Sequence, residues 1–278
     1  MFAAWWKQVK SEEISIAPGA ASPARSGTQS LERVVGMLRV IASRGRNGMR
    51  LGDVAAASGL PTSTCFRMLQ RLEVEELVER HPVTRKYFLG PLLHELGLLA
   101  RPRYQLAQRC ESTLRDLAEQ TGDTAYLSER RGLEAVCTAS ALGDYPIKAL
   151  TLDVGIRRPL GVGAGGLAIL CALPEAEADE VIDVNAHRYG KLSSLDPAQV
   201  RAAVCEGRQR GYAFLDSAVV PGTAAVAVAF PSDNPVAAIS VAAISARLDA
   251  ERRASIATDL QRMLRQLTRS LAGERAGG

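Results

Sequence analysis

The sequence predicts an α+β protein, with a winged helix-turn-helix near the N-terminus followed by a larger domain of helices on an antiparallel sheet. Residues 51–72 predict two short helices joined by a Gly-containing turn, and the second helix carries arginine on its polar side. Alternating segments at 77–80 and 85–89, joined by a His-Pro-Val-Thr turn, predict a basic β-hairpin after that pair. From residue 104 onward, strand and helix patterns interleave, which is typical of an α+β domain.

The helix pair carries residues that we expect to contact DNA. Phe66, Leu69 and Leu72 recur at three-residue steps and predict the buried face of the second helix. Ser58-Gly59 predicts the end of the first helix, because a left-handed residue is common there, and Pro61 suits a first helical turn. The opposite face and the hydroxyl-rich start of the second helix supply the predicted DNA-facing set, which is Thr62, Ser63, Thr64, Arg67, Gln70 and Arg71.

A solvated amphipathic helix pair would show a similar pattern, so the flanking segments decide between the two interpretations. An apolar stripe over residues 31–41 predicts a helix that covers the pair from behind, and the hairpin supplies a wing. Arg80, Arg85 and Lys86 of the wing suit phosphate or minor-groove contacts. The flanks therefore favour a DNA reader.

Positive charge is concentrated in the predicted DNA-binding part of the chain. Residues 30–103 contain 12 Lys and Arg against 7 Asp and Glu, whereas residues 104–278 contain 19 against 21. The whole chain has a net charge of +4, so the net +5 of residues 30–103 accounts for its basic character. Affinity for DNA grows with the number of phosphates neutralised, and a net charge of +5 is too small for one chain to bind DNA tightly. We therefore expect the chain to bind a double-stranded operator as an oligomer.

Length and composition indicate two globular domains. The chain has 278 residues, 47% of them hydrophobic, which is enough for two buried cores. We expect a flexible leader over 1–29, the winged helix-turn-helix over 30–90, a linker helix over 91–103 and a second domain over 104–278. Without an apolar run of 18 residues or a signal-peptide pattern, a cytoplasmic protein with no membrane contact is expected. The five scattered cysteines lack metal-ligand spacing, so we expect buried thiols, with no metal and no cofactor.

The pattern of the second domain predicts helices around an antiparallel sheet. Its predicted helices are 106–117 with an end at Gly122, 167–173, 175–187, 197–210 and a last one from Asp249 to Leu271. Its predicted strands are 124–129, 135–139, 147–152, 212–215, 224–230 and 236–244, with a hairpin turn over 232–235. The loop PLGVGAGG at 159–166 precedes a helix, where unpaired amides favour an anion and small residues let it approach. A simple tight turn is the alternative, and a dinucleotide-binding motif is excluded because the loop lies in no βαβ unit.

The order of these segments resembles that of the IclR-type bacterial transcription regulators. The resemblance rests on GLPTSTCFRMLQRL, KYFLG, VGIRRPL, the small-residue loop, RGY and PGTAAVAVAFP, and it covers residues 30–272. It implies a winged helix-turn-helix, a linker helix and a C-terminal GAF-like domain for effector binding and oligomerisation. It also implies dimers or tetramers on palindromic operators, acting as repressors or activators.

The resemblance further implies an effector site. Its members place backbone contacts at Ala164 and Gly165, and the whole set that carries over is Ala164, Gly165, Leu215, Asp216, Thr223, Ala225, Ser240 and Ala242. Several of these are apolar where relatives have polar anchors, and a small polar ligand would leave buried groups unpaired at about 1–3 kcal/mol each. We therefore expect a carboxylate that is larger or more apolar than an oxoacid, such as an aromatic one.

Two other functions are weighed against a ligand-controlled regulator. A GAF-like cysteine redox enzyme would use Cys137 or Cys171, but that chemistry needs a lowered thiol pKa, and none of the three histidines lies near either cysteine in sequence. A ligand-free architectural DNA-binding protein would leave the second domain without a role. We expect no catalytic residues.

Overall fold

The structure is a computed structural model that describes residues 28–100, 105–231 and 234–273. The described residues up to Leu98 form one compact unit, and Leu99–Leu271 form a second. The expected leader lies almost wholly outside the described residues, as do residues 101–103 at the end of the expected linker helix. Among the described residues, no helix is both long and apolar enough to cross a membrane.

The first unit is a small helical domain with a two-stranded hairpin. Its elements are α1 (Gln29–Ala42), a 3-10 turn (Gly45–Asn47), α2 (Leu51–Ser58), α3 (Thr62–Val74), β1 (Val78–Arg80), β2 (Tyr87–Leu89) and α4 (Pro91–Ala100). Met37 and Ile41 of α1 pack with Val54, Leu69 and Tyr87 in one core. The helix predicted over 31–41 therefore does cover the helix pair.

The turn between α2 and α3 has the geometry that the sequence predicts. Gly59 ends α2 at φ 63°, and the amide of Leu60 donates to the Ala55 carbonyl at 3.0 Å. The predicted buried face of α3 needs correction, because Cys65, Leu69 and Leu72 are buried while Phe66 is only half-buried. The i, i+4, i+7 spacing of the buried set keeps it on one side of the helix, which three-residue steps do not.

The hairpin is antiparallel and short. Val78 pairs with Leu89 and Arg80 with Tyr87. The turn closes through the His81 amide, which donates to the Lys86 carbonyl at 2.9 Å. Arg85 adopts φ 59° at the tip. The hairpin therefore forms where the alternating pattern predicts it.

The second unit is built on one antiparallel sheet. Its described helices are α5 (Leu106–Arg109), α6 (Glu111–Thr121), α7 (Ala164–Ala172), α8 (Glu175–Leu192), α9 (Pro197–Arg210) and α10 (Ala250–Gly273). Its described strands are β3 (Thr124–Arg131), β4 (Glu134–Leu142), β5 (Arg157–Pro159), β6 (Ala213–Asp216), β7 (Thr223–Phe230) and β8 (Ala237–Ile244). The spatial order is β5-β4-β3-β8-β7-β6. This arrangement confirms the predicted α+β class.

Alternate residues of the central strands face two separate cores. Ile239 and Val241 of β8 pack with Leu117 of α6 and Leu260 of α10 on one side of the sheet. Ala238 packs on the other side with residues of α7, α8 and α9. Because β8 is buried on both faces, its sequence is apolar except for Ser240 and does not alternate between apolar and polar residues.

Several predicted elements differ in the structure. The strand predicted over 147–152 is wrong: this segment is irregular, and the strand that pairs with β4 is β5, farther along the chain. The helix predicted over 106–117 is interrupted at Cys110. α7 begins at Ala164 rather than Leu167, and α8 continues to Leu192. The predicted turn over 232–235 lies partly outside the described residues.

Candidate functional site

The exposed face of α3 carries the residues predicted to contact DNA. Thr62, Ser63, Arg67, Gln70 and Arg71 are exposed, and Thr64 is half-buried. Arg71 pairs with Glu75 one turn later, whereas Arg67 makes no ion pair within the described residues. Arg67 is therefore the more available cation on this face.

The three predicted cations of the wing have different surroundings. The Arg80 guanidinium lies 5.2 Å from the centre of the Tyr87 ring. Lys86 Nζ donates to the Asn47 carbonyl at 2.9 Å, which ties the hairpin to the 3-10 turn. Arg85 is exposed at the tip. Two of the three cations thus also support the shape of the wing.

A small cavity of about 60 Å³ lies in the second unit, at the N-terminus of α7. The structure brings seven of the eight predicted effector residues around it: Ala164, Gly165, Leu215, Thr223, Ala225, Ser240 and Ala242. Asp216 is not among the lining residues. Its carboxylate instead accepts hydrogen bonds from the hydroxyls of Ser217 at 2.9 Å and Ser245 at 2.5 Å.

The first turn of α7 presents unpaired amides beside this cavity. Gly163 stands before the helix at φ 85° without a side-chain cap, and the Leu167 amide donates to its carbonyl at 3.0 Å. The amides of Ala164, Gly165 and Gly166 precede that bond, so they have no intrahelical acceptor. Such a buried helix start attracts negative charge.

The close packing of α7 against β3 explains why residue 165 is a glycine. A Cβ added there would lie 2.6 Å from Ser128 Oγ and 3.0 Å from Ser128 Cβ on β3. Ser128 also lines the cavity. The missing side chain thus lets α7 begin directly against the sheet.

Arg158 is a charged residue of the cavity lining that the sequence analysis missed. It lies on β5, lines the cavity and donates through Nη2 to the Thr151 carbonyl at 2.5 Å. A Cβ at Gly163 would lie 3.6 Å from its Nη1, so the guanidinium is close to the start of α7. Burial lowers the pKa of Arg158, but an arginine stays charged inside a protein.

The signal for Arg158 is the Arg-Arg pair in VGIRRPL. Successive residues of a strand point to opposite sides, so only one of the two arginines can face inward. Arg157 is exposed and pairs with Glu134 at 3.1 Å. Which arginine faces inward is decided by the pairing of β5 with β4.

The remaining lining of the cavity contains both polar and apolar side chains. Ser128 and Ser240 add hydroxyls, and the Tyr126 hydroxyl donates to the Ala149 carbonyl at 3.0 Å. Val162, Leu215, Val219, Ala225 and Ala242 form the apolar wall. This arrangement can hold an anion with an apolar body.

The expectation of buried thiols holds for Cys65, Cys110 and Cys137 but is wrong for Cys171, which is half-buried, and for Cys205, which is exposed. Cys137 and Cys171, the two candidates for redox chemistry, do not have the surroundings of a redox site. Burial raises the pKa of Cys137 to about 12 and that of Cys171 to about 11, so the reactive thiolate is disfavoured at both. Within the described ranges, no group of three or more metal-ligating side chains comes together.

Comparison with known proteins assigns the family. The model of the IclR helix-turn-helix domain matches residues 30–82, and that of the bacterial transcriptional regulator IclR C-terminal domain matches residues 100–269. The chain is 26% identical to the HTH-type transcriptional regulator XynR of Escherichia coli over 248 residues, 87% of this chain and 97% of that protein.

Solved structures have the same fold. An IclR transcriptional regulator from Alicyclobacillus acidocaldarius has a TM-score of 0.69 at 26% identity, over 86% of this chain and 96% of that one. An IclR homologue from Microbacterium hydrocarbonoxydans, solved in complex with 4-hydroxybenzoate, has a TM-score of 0.64 at 23% identity, over 85% and 99%. Both matching family models describe regulator domains rather than enzymes. The chain therefore belongs to the IclR family of DNA-binding transcriptional regulators, some of which bind small-molecule effectors.

Proposed function

We propose that this protein is a transcriptional regulator, acting as a dimer or a tetramer, whose operator affinity is controlled by a carboxylate bound in the cavity at the start of α7. The observation that carries the proposal is the convergence of the Arg158 guanidinium and three unpaired amides on one buried cavity. Both groups recognise negative charge, and a charge-assisted hydrogen bond is roughly twice as strong as a neutral one.

The DNA-reading part of the proposal rests on α3 and the wing. We infer that α3 enters the major groove, with Arg67 and its exposed neighbours toward the bases and Arg85 toward phosphate. The boundaries that we propose are 30–90 for the reader, 91–103 for the linker and 104–278 for effector binding and oligomerisation. Leu96, Leu98 and Leu99 of α4 are exposed in the single chain, which supports burial by a second copy.

The effector that we propose is a carboxylate with an apolar body. The anion would meet Arg158 and α7, and the body would meet the wall of Leu215, Val219 and Ala242. The aromatic acid 4-hydroxybenzoate has both parts, and it occupies a protein of the same fold. A cavity of about 60 Å³ holds roughly five water-sized groups, so an aromatic ring must displace wall side chains. That displacement would link binding to a change in the domain.

Substitution of Arg158 tests the effector site. Arg158→Gln is expected to weaken benzoate or 4-hydroxybenzoate binding about tenfold or more in isothermal titration calorimetry, because a charge-assisted bond contributes about 1.5–3 kcal/mol. Arg157→Gln is the matched control, since its side chain is the exposed neighbour on β5. Equal losses in the two variants would contradict the site, and tight binding of glyoxylate alone would contradict an apolar body.

Operator binding tests the regulatory part. An operator is first selected from random duplexes with the full chain. Addition of the acid should change the affinity of the protein for this operator, by a factor set by the ratio of the acid's affinities for the two arrangements of the oligomer. Arg158→Gln should keep operator binding and lose the response. If the acid does not bind and operator binding is retained, the ligand-free architectural function replaces this one; if the acid binds and leaves operator affinity unchanged, the proposed control of operator binding is wrong.

A further inference from the structure

A second cavity of about 600 Å³ lies at the other end of α7, ten times the volume of the first at about 60 Å³. Pockets that hold small ligands have about 300–1,000 Å³. Ala168 and Ala172 of α7 line it on one side, and Leu264 of α10 lines it on the other. A ligand there would touch the last turn of the helix whose first turn lines the first cavity.

The sheet edge explains why this space is open. β6 pairs with β7 only from Ala224 to Ala227, so within the described residues Val228–Phe230 have no neighbouring strand on that side. Val228, Ala229 and Phe230 line the cavity together with small residues of α7 and β6. The floor is therefore largely apolar.

Three arginines form the rim of this cavity. Arg208 is engaged, because its guanidinium donates to the carbonyls of Cys171 at 3.1 Å and Leu173 at 2.8 Å at the end of α7. Arg265 and Arg269 stand four residues apart on α10, so they share one face, and both are exposed.

Among the described residues, no carboxylate forms an ion pair with Arg265 or Arg269. The ion pairs found for α10 in the described part of the chain involve Arg252 and Arg262, and the cavity lining there contains no acidic side chain. Two unpaired cations over an apolar floor complement a molecule with an anionic head and an apolar chain.

We propose that this second cavity binds an amphipathic anion, an apolar chain that ends in a carboxylate. The head lies at Arg265 and Arg269 of α10, and the chain lies against Phe230, Leu264 and Ala172. The site is separate from the first cavity, because the two cavities share no lining residue.

Decanoate, kept below its micelle concentration, is the probe for isothermal titration with the full chain. We expect one equivalent per chain, and about tenfold or greater weakening in Arg265→Gln/Arg269→Gln, because two charge-assisted contacts are lost. Arg262→Gln is the matched control, since this exposed arginine of α10 pairs with Asp259 and does not line the cavity. Decanol should bind more weakly than decanoate, because it lacks the charge.

Two further variants locate the bound decanoate. Ala172→Trp fills the cavity and should abolish binding, whereas Arg158→Gln, in the first cavity, should leave it unchanged. Undiminished affinity in the double arginine variant would overturn the proposal, as would a loss caused by Arg158→Gln. Absence of decanoate binding would overturn it as well, and a change of oligomeric mass in Ala172→Trp would then identify the groove as an interface between copies.

Discussion

Gly165 lies in the first turn of α7, where its backbone passes close to Ser128 of β3. A Cβ at this position would lie 2.6 Å from Ser128 Oγ and 3.0 Å from Ser128 Cβ. Carbon atoms in favourable contact are about 3.5–4.0 Å apart, so in Gly165→Ala either α7 or the Ser128 side chain must shift by roughly 0.5–1 Å. A shift of α7 would displace the unpaired amides from the cavity.

The size of the effect follows from two opposing terms. Forced overpacking in a tight core costs about 1–3 kcal/mol. Alanine in place of glycine favours a helix by about 1 kcal/mol. The substitution Gly190→Ala in α8 measures the gain in helix propensity alone, because nothing lies within 4 Å of a Cβ added there. We expect Gly165→Ala to be less stable than Gly190→Ala by about 1–3 kcal/mol.

Urea unfolding followed by circular dichroism measures this difference, and hydrogen exchange assigns it to α7 and β3. Ser128→Ala removes the closer contact atom, so the double variant with Gly165→Ala should recover part of the loss. Equal stabilities of Gly165→Ala and Gly190→Ala would refute the close approach. Unchanged benzoate affinity in Gly165→Ala would refute the role of the amides.

Three other outcomes are expected. Arg67→Ala should weaken operator binding by about 1–3 kcal/mol in footprinting without changing thermal unfolding, and a wild-type footprint would contradict α3 as the reading helix. Lys86→Gln should weaken binding to every DNA sequence and reduce the salt slope by about one, whereas an unchanged slope means that Nζ does not reach phosphate. Iodoacetamide at about pH 8 should alkylate exposed Cys205 and spare Cys137, because burial raises the pKa of Cys137 to about 12. The alkylation rate of Cys137, followed by mass spectrometry, should therefore increase with pH toward that value.

Local patterns in the sequence were sufficient to predict the helix-turn-helix and the hairpin. Gly59 ends α2 because a left-handed residue is required there, and His81 to Thr84 makes the turn between β1 and β2. These features depend on neighbours a few residues apart, so periodicity and turn chemistry predict them. The same reasoning was wrong for 147–152, whose alternation resembles a strand but whose Ala149 carbonyl is held by a side chain of β3.

Tertiary structure decided which side chains meet in the cavities. Arg158 faces inward and Arg157 outward because of the register between β5 and β4, and a shift of one residue would exchange them. Asp216 lies next to Leu215 in sequence but bonds to Ser245 instead of lining the cavity. The second cavity depends on where β6 stops pairing with β7 and on how α10 crosses that edge. Periodicity in the sequence predicts which face of an element is buried, but strand register and helix packing choose the partner, because they join residues that are distant along the chain.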